Sequence, residues 1–128
     1  MEYKNKKKRS LKRFLNSFKF AFQGLKYAFV YEQNMFVHII VTVWVVILGL
    51  LFHISLFEWL FCLVIIGLVI ATELINTAIE AVVDLVTVAN KPLAKIAKDT
   101  ASAAVFVFAV IAFLCGLIIF IPKILELF

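Results

Sequence analysis

Thr72-Glu73-Leu74-Ile75-Asn76-Thr77-Ala78-Ile79-Glu80-Ala81-Val82-Val83-Asp84 carries onward, without a break in its helical pattern, the uncharged apolar run from Phe61 to Ala71. At about 100° per residue, Glu73, Asn76, Glu80 and Asp84 fall at roughly 0°, 300°, 340° and 20°, one polar stripe within an arc of about 80°. The opposite face (Leu74, Ile75, Ala78, Ile79, Val82, Val83) stays apolar. A solvated acidic face is the ordinary reason for acids on a helix. Such a face mixes in Lys and Arg at i,i+4, and none occurs between Lys26 and Lys91. Glu80 and Asp84 repel each other at i,i+4, and three carboxylates with an amide on a membrane-grade helix are costly unless something cationic meets them. The stripe reads as a metal or acid–base site.

Composition agrees with a membrane setting. The 128 residues are 65% hydrophobic with mean hydropathy +1.08, which excludes a soluble domain and allows three or four spans. Cys62 and Cys115 lie in apolar runs without Cys or His at ligand spacing, so they read as small hydrophobes rather than zinc ligands or a disulfide. No cleavable signal peptide is visible.

The fold expected is all-α: an integral membrane protein with three transmembrane helices behind an N-terminal amphipathic surface helix, forming a single membrane domain over 1–128. Residues 1–9 form a basic tail. Over 10–31, Leu11, Phe14, Leu15, Phe18, Phe22 and Leu25 recur at helical spacing, with Lys12, Lys19 and Lys26 on another face; this reads as a helix lying in the interface, anchoring the protein or reaching a phosphate through Arg13. Spans are expected at 35–53 and at 56–88, the latter with a cytoplasmic extension. A third helix is expected at 92–121, with Asn90 as cap, Pro92 in the first turn and Pro122 as its close. His38 and His53 read as an interhelical or boundary histidine and a solvated loop residue, and neither is assigned chemistry. Of the 13 Lys and Arg, those from Lys4 to Lys26 precede the first span, Lys91, Lys95 and Lys98 lie between the second and third, and Lys123 alone is left for the far side. An odd number of spans puts both basic regions on one face, which the positive-inside rule makes cytoplasmic. This placement argues against nucleic acid as the partner of the +5 net charge. It also gathers Arg13, Glu32, the stripe and Lys98-Asp99 at the cytoplasmic boundary of the cell membrane.

Carboxylates, an amide and several cations at a membrane surface suit phosphoryl transfer. Acids hold Mg²⁺ with nucleotide phosphates completing its shell, cations neutralise developing charge, and a further carboxylate takes the proton of an attacking hydroxyl. There is no Gly-rich phosphate loop, so side chains would hold the phosphates. From the residues alone, the conclusion is metal-assisted chemistry on an anionic or alcohol substrate at the inner leaflet.

The pattern Glu73-x-x-Asn76-x-x-x-Glu80-x-x-x-Asp84, followed by Lys98-Asp99 and Ser102-Ala-Ala-Val, resembles the signature of the small prokaryotic diacylglycerol kinase family, and the likeness extends to Arg13, Gly24-Leu25-Lys26 and Glu32. The resemblance implies a homotrimer of three-span subunits with active sites shared between neighbours, using ATP and Mg²⁺. It implies Glu73 as general base on the lipid hydroxyl, oriented by Asn76, with Glu32 and Glu80 as Mg²⁺ ligands. Ala89-Asn90-Lys91, Lys98 and Asp99 would contact the nucleotide and Arg13 its phosphates, while Ser102 and the surface helix would border the lipid. Phe20 stands where the family often has an aromatic hydroxyl at the nucleotide, and Asp84 is read as structural or as holding in place a residue that contacts the ligand. The run Val83-Asp84-Leu85-Val86 with Asn90-Lys91-Pro92-Leu93-Ala94-Lys95 is similar to the Gram-positive members, which look like undecaprenol kinases, rather than to the Gram-negative diacylglycerol kinases. Two rivals come from other classes. A small multidrug transporter would have four spans and a mid-span acid. A non-enzymatic interaction subunit would show no ATP chemistry and would tolerate Glu73→Gln.

Overall fold

The computed structural model describes residues 8–128, and over them the molecule is all-α: α1 (Leu11–Tyr31), α2 (Gln33–Leu51), α3 (Leu56–Val86) and α4 (Pro92–Leu125). Apart from Lys8 and Arg9, which precede α1, the basic tail lies outside the described residues. α2, α3 and α4 are each long and apolar enough to cross a membrane, so this is a multi-pass membrane protein.

Helix α1 starts at Ser10, whose hydroxyl accepts from the Arg13 amide at 3.1 Å. Its apolar residues Leu11, Phe14, Leu15, Phe18 and Phe22 are all exposed and only Ala28 is buried, as suits a helix that places its apolar face in acyl chains. A single extended residue, Glu32 (φ −99°, ψ 113°), separates α1 from α2. Its N–H donates to the Ala28 carbonyl and its own carbonyl accepts from Phe36, so the chain turns there with its hydrogen bonds kept. Ala28 and Met35 pack at this corner, both essentially inaccessible.

The α2–α3 connection needs only Phe52 to Ser55. The Ile54 N–H reaches back to the Gly49 carbonyl at 3.1 Å across His53, which takes the left-handed conformation (φ 51°). This is a Schellman ending with a histidine in glycine's usual place. Ser55 and Glu58 then form a reciprocal capping box that opens α3. Gly49 lets the Trp59 indole lie directly on α2, and Ile54, Cys62, Ile119 and Phe120 form the buried cluster around it. A Glu58–Lys123 ion pair (3.2 Å) ties the start of α3 to the end of α4.

Helix α4 departs from two sequence expectations. Its cap is Lys91, extended at φ −98° and ψ 139°, rather than Asn90: with Pro92 in the first turn, the residue before it is forced out of the helical region and becomes the boundary. Pro122 does not close the helix, which runs on to Leu125. Proline removes one backbone hydrogen bond, but the Glu126 N–H still binds the Pro122 carbonyl, and in lipid a continued turn satisfies more backbone than an ending would.

Helix lengths place the site. At about 1.5 Å per residue α2 is roughly 28 Å long, close to the hydrocarbon thickness of about 30 Å, whereas α3 and α4 reach roughly 46 and 51 Å. The tight α2–α3 turn pins α3 at one end, so its excess length projects from the other. About twenty residues from Leu56 end near Ile75. Glu73 and Asn76 therefore lie at the hydrocarbon boundary, with Glu80 and Asp84 beyond it.

Candidate active site

The polar stripe of α3 is graded in burial. Glu73 is 1% exposed and Asn76 4%, while Glu80 is half-buried and Asp84 exposed. Both Glu73 carboxylate oxygens and the Asn76 Oδ1 are buried without a hydrogen-bond partner among the described residues. Orphaned acceptors of this kind cost roughly 1–3 kcal/mol each, so they do not serve stability. Glu73 faces a cavity of about 200 Å³ between α2, α3 and α4, lined also by Asn34, His38, Ser102 and Phe106. The Ser102 expected beside the lipid is thus opposite Glu73. Glu32, from the α1–α2 corner, and Glu80 lie close enough for their charges to act on Glu73.

His38 is the residue that sequence reasoning set aside. Its Nε2 stands 3.5 Å from Glu73 Oε2. A signal was present: an ionisable residue inside an apolar span is a functional candidate by default. Its partner could not be named before the α2–α3 packing was known.

A second cluster forms where α3 hands over to α4. Asp84, Thr87, Ala89, Asn90, Lys91, Lys95, Lys98 and Asp99 line a cavity of about 580 Å³. Lys98 donates to Asp84 at 2.5 Å, and Lys95 pairs with Asp99 one turn away. Five residues expected at the nucleotide (Ala89, Asn90, Lys91, Lys98, Asp99) are therefore gathered in one depression. Arg13 and Phe20 are not brought to it. They line a separate depression on α1 with Lys12, Asn16 and Ser17, and Arg13 lies about 28 Å along the helix from Glu32.

No set of three or more His, Cys, Asp or Glu side chains is gathered as a metal site among the described residues. The carboxylates of Glu32 and Glu80 are nonetheless the hard oxygen donors that suit Mg²⁺, which is commonly held by one or two carboxylates with phosphates and water completing its octahedron. The residues fit the ion as a partner of a bound nucleotide.

The sequence profile described as Prokaryotic diacylglycerol kinase matches residues 19–120. The chain belongs to the prokaryotic diacylglycerol kinase family. Within this kinase family it is 45% identical over 113 residues to an undecaprenol kinase of Bacillus subtilis, covering 88% of this chain and 92% of that one. It is 38% identical over 114 residues to a diacylglycerol kinase of Synechocystis (88% and 65% covered). A diacylglycerol kinase of Pseudomonas aeruginosa is 36% identical over 97 residues (76% and 79% covered). Family membership makes the protein a phosphotransferase that acts on a lipid alcohol and uses ATP.

Proposed function

We propose that this chain phosphorylates undecaprenol with ATP and Mg²⁺ at the cytoplasmic face of the membrane. What carries the assignment is Glu73: a carboxylate with two unpartnered buried oxygens, set in a cavity at the depth where a lipid hydroxyl meets the headgroup layer. The lipid hydroxyl oxygen forms a bond to the γ-phosphorus while the bond from that phosphorus to the β,γ-bridging oxygen breaks. The hydroxyl proton passes to Glu73, and ADP departs with the former bridging oxygen. Asn76, one turn along the same face, orients Glu73 and the acceptor. Glu32 and Glu80 would hold Mg²⁺, which when bound neutralises charge on the transferring phosphoryl group. Ala89, Asn90, Lys91, Lys98 and Asp99 cradle the nucleotide, with Lys98 exchanging part of its contact with Asp84 for phosphate.

Undecaprenol is preferred over diacylglycerol because the relative matched at 45% identity and covered over 92% of its length is an undecaprenol kinase. The diacylglycerol kinases, at 38% and 36%, make diacylglycerol the competitor. The cytoplasmic orientation rests on the excess of Lys and Arg ahead of α2 and between α3 and α4. A homotrimer with shared sites is supported by the position of Arg13, which a neighbouring subunit could bring to the phosphates that its own chain holds far away. The test is transfer of label from γ-labelled ATP in mixed micelles containing both lipids. Undecaprenyl phosphate should form faster, only with Mg²⁺, and Glu73→Gln should lower turnover by about 10²- to 10⁴-fold. Preferential labelling of diacylglycerol would reverse the lipid assignment, and full turnover by Glu73→Gln would remove the base.

A further inference from the structure

A carboxylate that must take a proton from a hydroxyl works best with one oxygen held and the other aimed. The terminal torsion of a glutamate is broad, so nothing in its own side chain fixes which oxygen faces the substrate. Helix α3 supplies no such hold: among the described residues neither Glu73 oxygen is bonded, and Asn76 has an orphaned oxygen of its own. Across the α2–α3 interface stands His38, with Nε2 3.5 Å from Oε2. The ring is 19% exposed and lines the same cavity. On the same helix the Thr42 hydroxyl donates to the His38 carbonyl at 2.7 Å.

The other groups around Glu73 do not substitute for it. Glu32 and Glu80 are acceptors only when ionised and repel Glu73. From α4 the cavity receives Ser102 but no charged group, while Asn34 offers a neutral amide from α2; neither bonds to the carboxylate. A neutral imidazole has one N–H and one bare nitrogen, and only the tautomer protonated on Nε2 presents a donor to Oε2. The distance of 3.5 Å is the outer edge of a hydrogen bond, the usual state of catalytic contacts before substrate tightens them.

We infer that His38 is a positioning residue for phosphoryl transfer: its ring donates Nε2–H to Glu73 Oε2 and leaves Oε1 directed at the lipid hydroxyl. The inference rests on Glu73 being the base. It assigns His38 a role in turnover and none in holding nucleotide or lipid.

The chain has 2 histidines, and the other, His53, lies in the α2–α3 turn at the far end of α2, so it serves as an internal reference. In protein labelled with ¹⁵N-histidine, the ring nitrogens of His38 should report the Nε2–H tautomer. Their signals should move in Glu73→Gln while those of His53 stay. In kinetics, His38→Ala should lower kcat about 10- to 100-fold, with KM for ATP and for lipid changed by less than about twofold. His38→Gln places an amide N–H near the same point and should recover kcat to within about fivefold of the parent. Wild-type kcat in His38→Ala, no recovery in His38→Gln, or a His38 signal indifferent to Glu73→Gln would overturn the inference. The two ideas fail separately. An active Glu73→Gln removes the base itself, whereas an inactive Glu73→Gln beside a fully active His38→Ala removes only the role of His38.

Discussion

On the proposed reading, Glu73 gives up stability for reactivity. Its two orphaned oxygens lie at the hydrocarbon boundary, where a leucine would meet apolar neighbours on α2 and α4. Glu73→Leu should therefore raise resistance to denaturation by about 1–3 kcal/mol, measured by reversible unfolding in mixed micelles, while abolishing transfer. Destabilisation by that change would mean that the carboxylate has a structural partner. The neighbouring acids separate by role. Glu80→Gln should raise the Mg²⁺ concentration for half-maximal rate by about 10- to 100-fold, whereas Glu73→Gln should leave that concentration unchanged and lower only the maximal rate. Glu73, Asn76 and Glu80 were legible in the sequence because helix geometry alone puts them on one face. His38 was not, because its meaning depends on which neighbouring helix it meets and at what height. The Lys98–Asp84 pair was half legible: the spacing brought both residues to one end of the molecule, but their direct contact follows from how closely α3 and α4 pack.

At the level of elements, the helices were readable from hydropathy and their ends from local chemistry, with two departures at proline. Pro92 made Lys91 rather than Asn90 the boundary, and Pro122 was absorbed into the last turns of α4. The first follows from proline's steric exclusion of its predecessor from the helical region, the second from backbone accounting in lipid, where a helix continues unless something else satisfies its amides. At the α2–α3 interface the Trp59 indole lies directly on Gly49. A β-carbon at that glycine would stand 2.5 Å from one indole carbon and 2.8 Å from another. Gly49→Ala should accordingly destabilise the fold by about 1–3 kcal/mol through forced displacement of Trp59. Because the α2–α3 turn sets how far α3 projects, some loss of turnover should accompany the loss of stability. The same substitution at Gly67, where a β-carbon would meet nothing within 4 Å, should leave turnover unchanged and raise stability by up to about 1 kcal/mol. Equal stability of the two variants would show that α2 and α3 meet elsewhere. The Asp84–Lys98 bridge is a weaker tie. With its partners 53% and 39% exposed, a double-mutant cycle should return a coupling below about 1 kcal/mol.

For the whole molecule, the decisive quantity is how many chains make one site. Within a single chain the parts fall into two groups. Glu32, His38, Glu73, Asn76 and Glu80 gather near the membrane boundary, with the depression proposed to hold nucleotide at the α3–α4 junction, whereas Arg13 sits about 28 Å along α1 from Glu32. Large apolar side chains such as Phe106, Phe113 and Ile118 are exposed on α4, a surface that lipid or a neighbouring subunit must cover. If the Arg13 of one subunit serves the Glu73 of the next, a subunit lacking one function can complement a subunit lacking the other. Arg13→Ala and Glu73→Gln chains, each inactive or nearly so alone, would then regain activity when unfolded together in equal amounts and reassembled. In a closed ring of identical subunits a site is intact when its base comes from an Arg13→Ala chain and its arginine from a Glu73→Gln chain. Random mixing makes that combination about one in four, so about a quarter of parental turnover should return. Activity no higher than the sum of the two variants would place Arg13 outside the shared site.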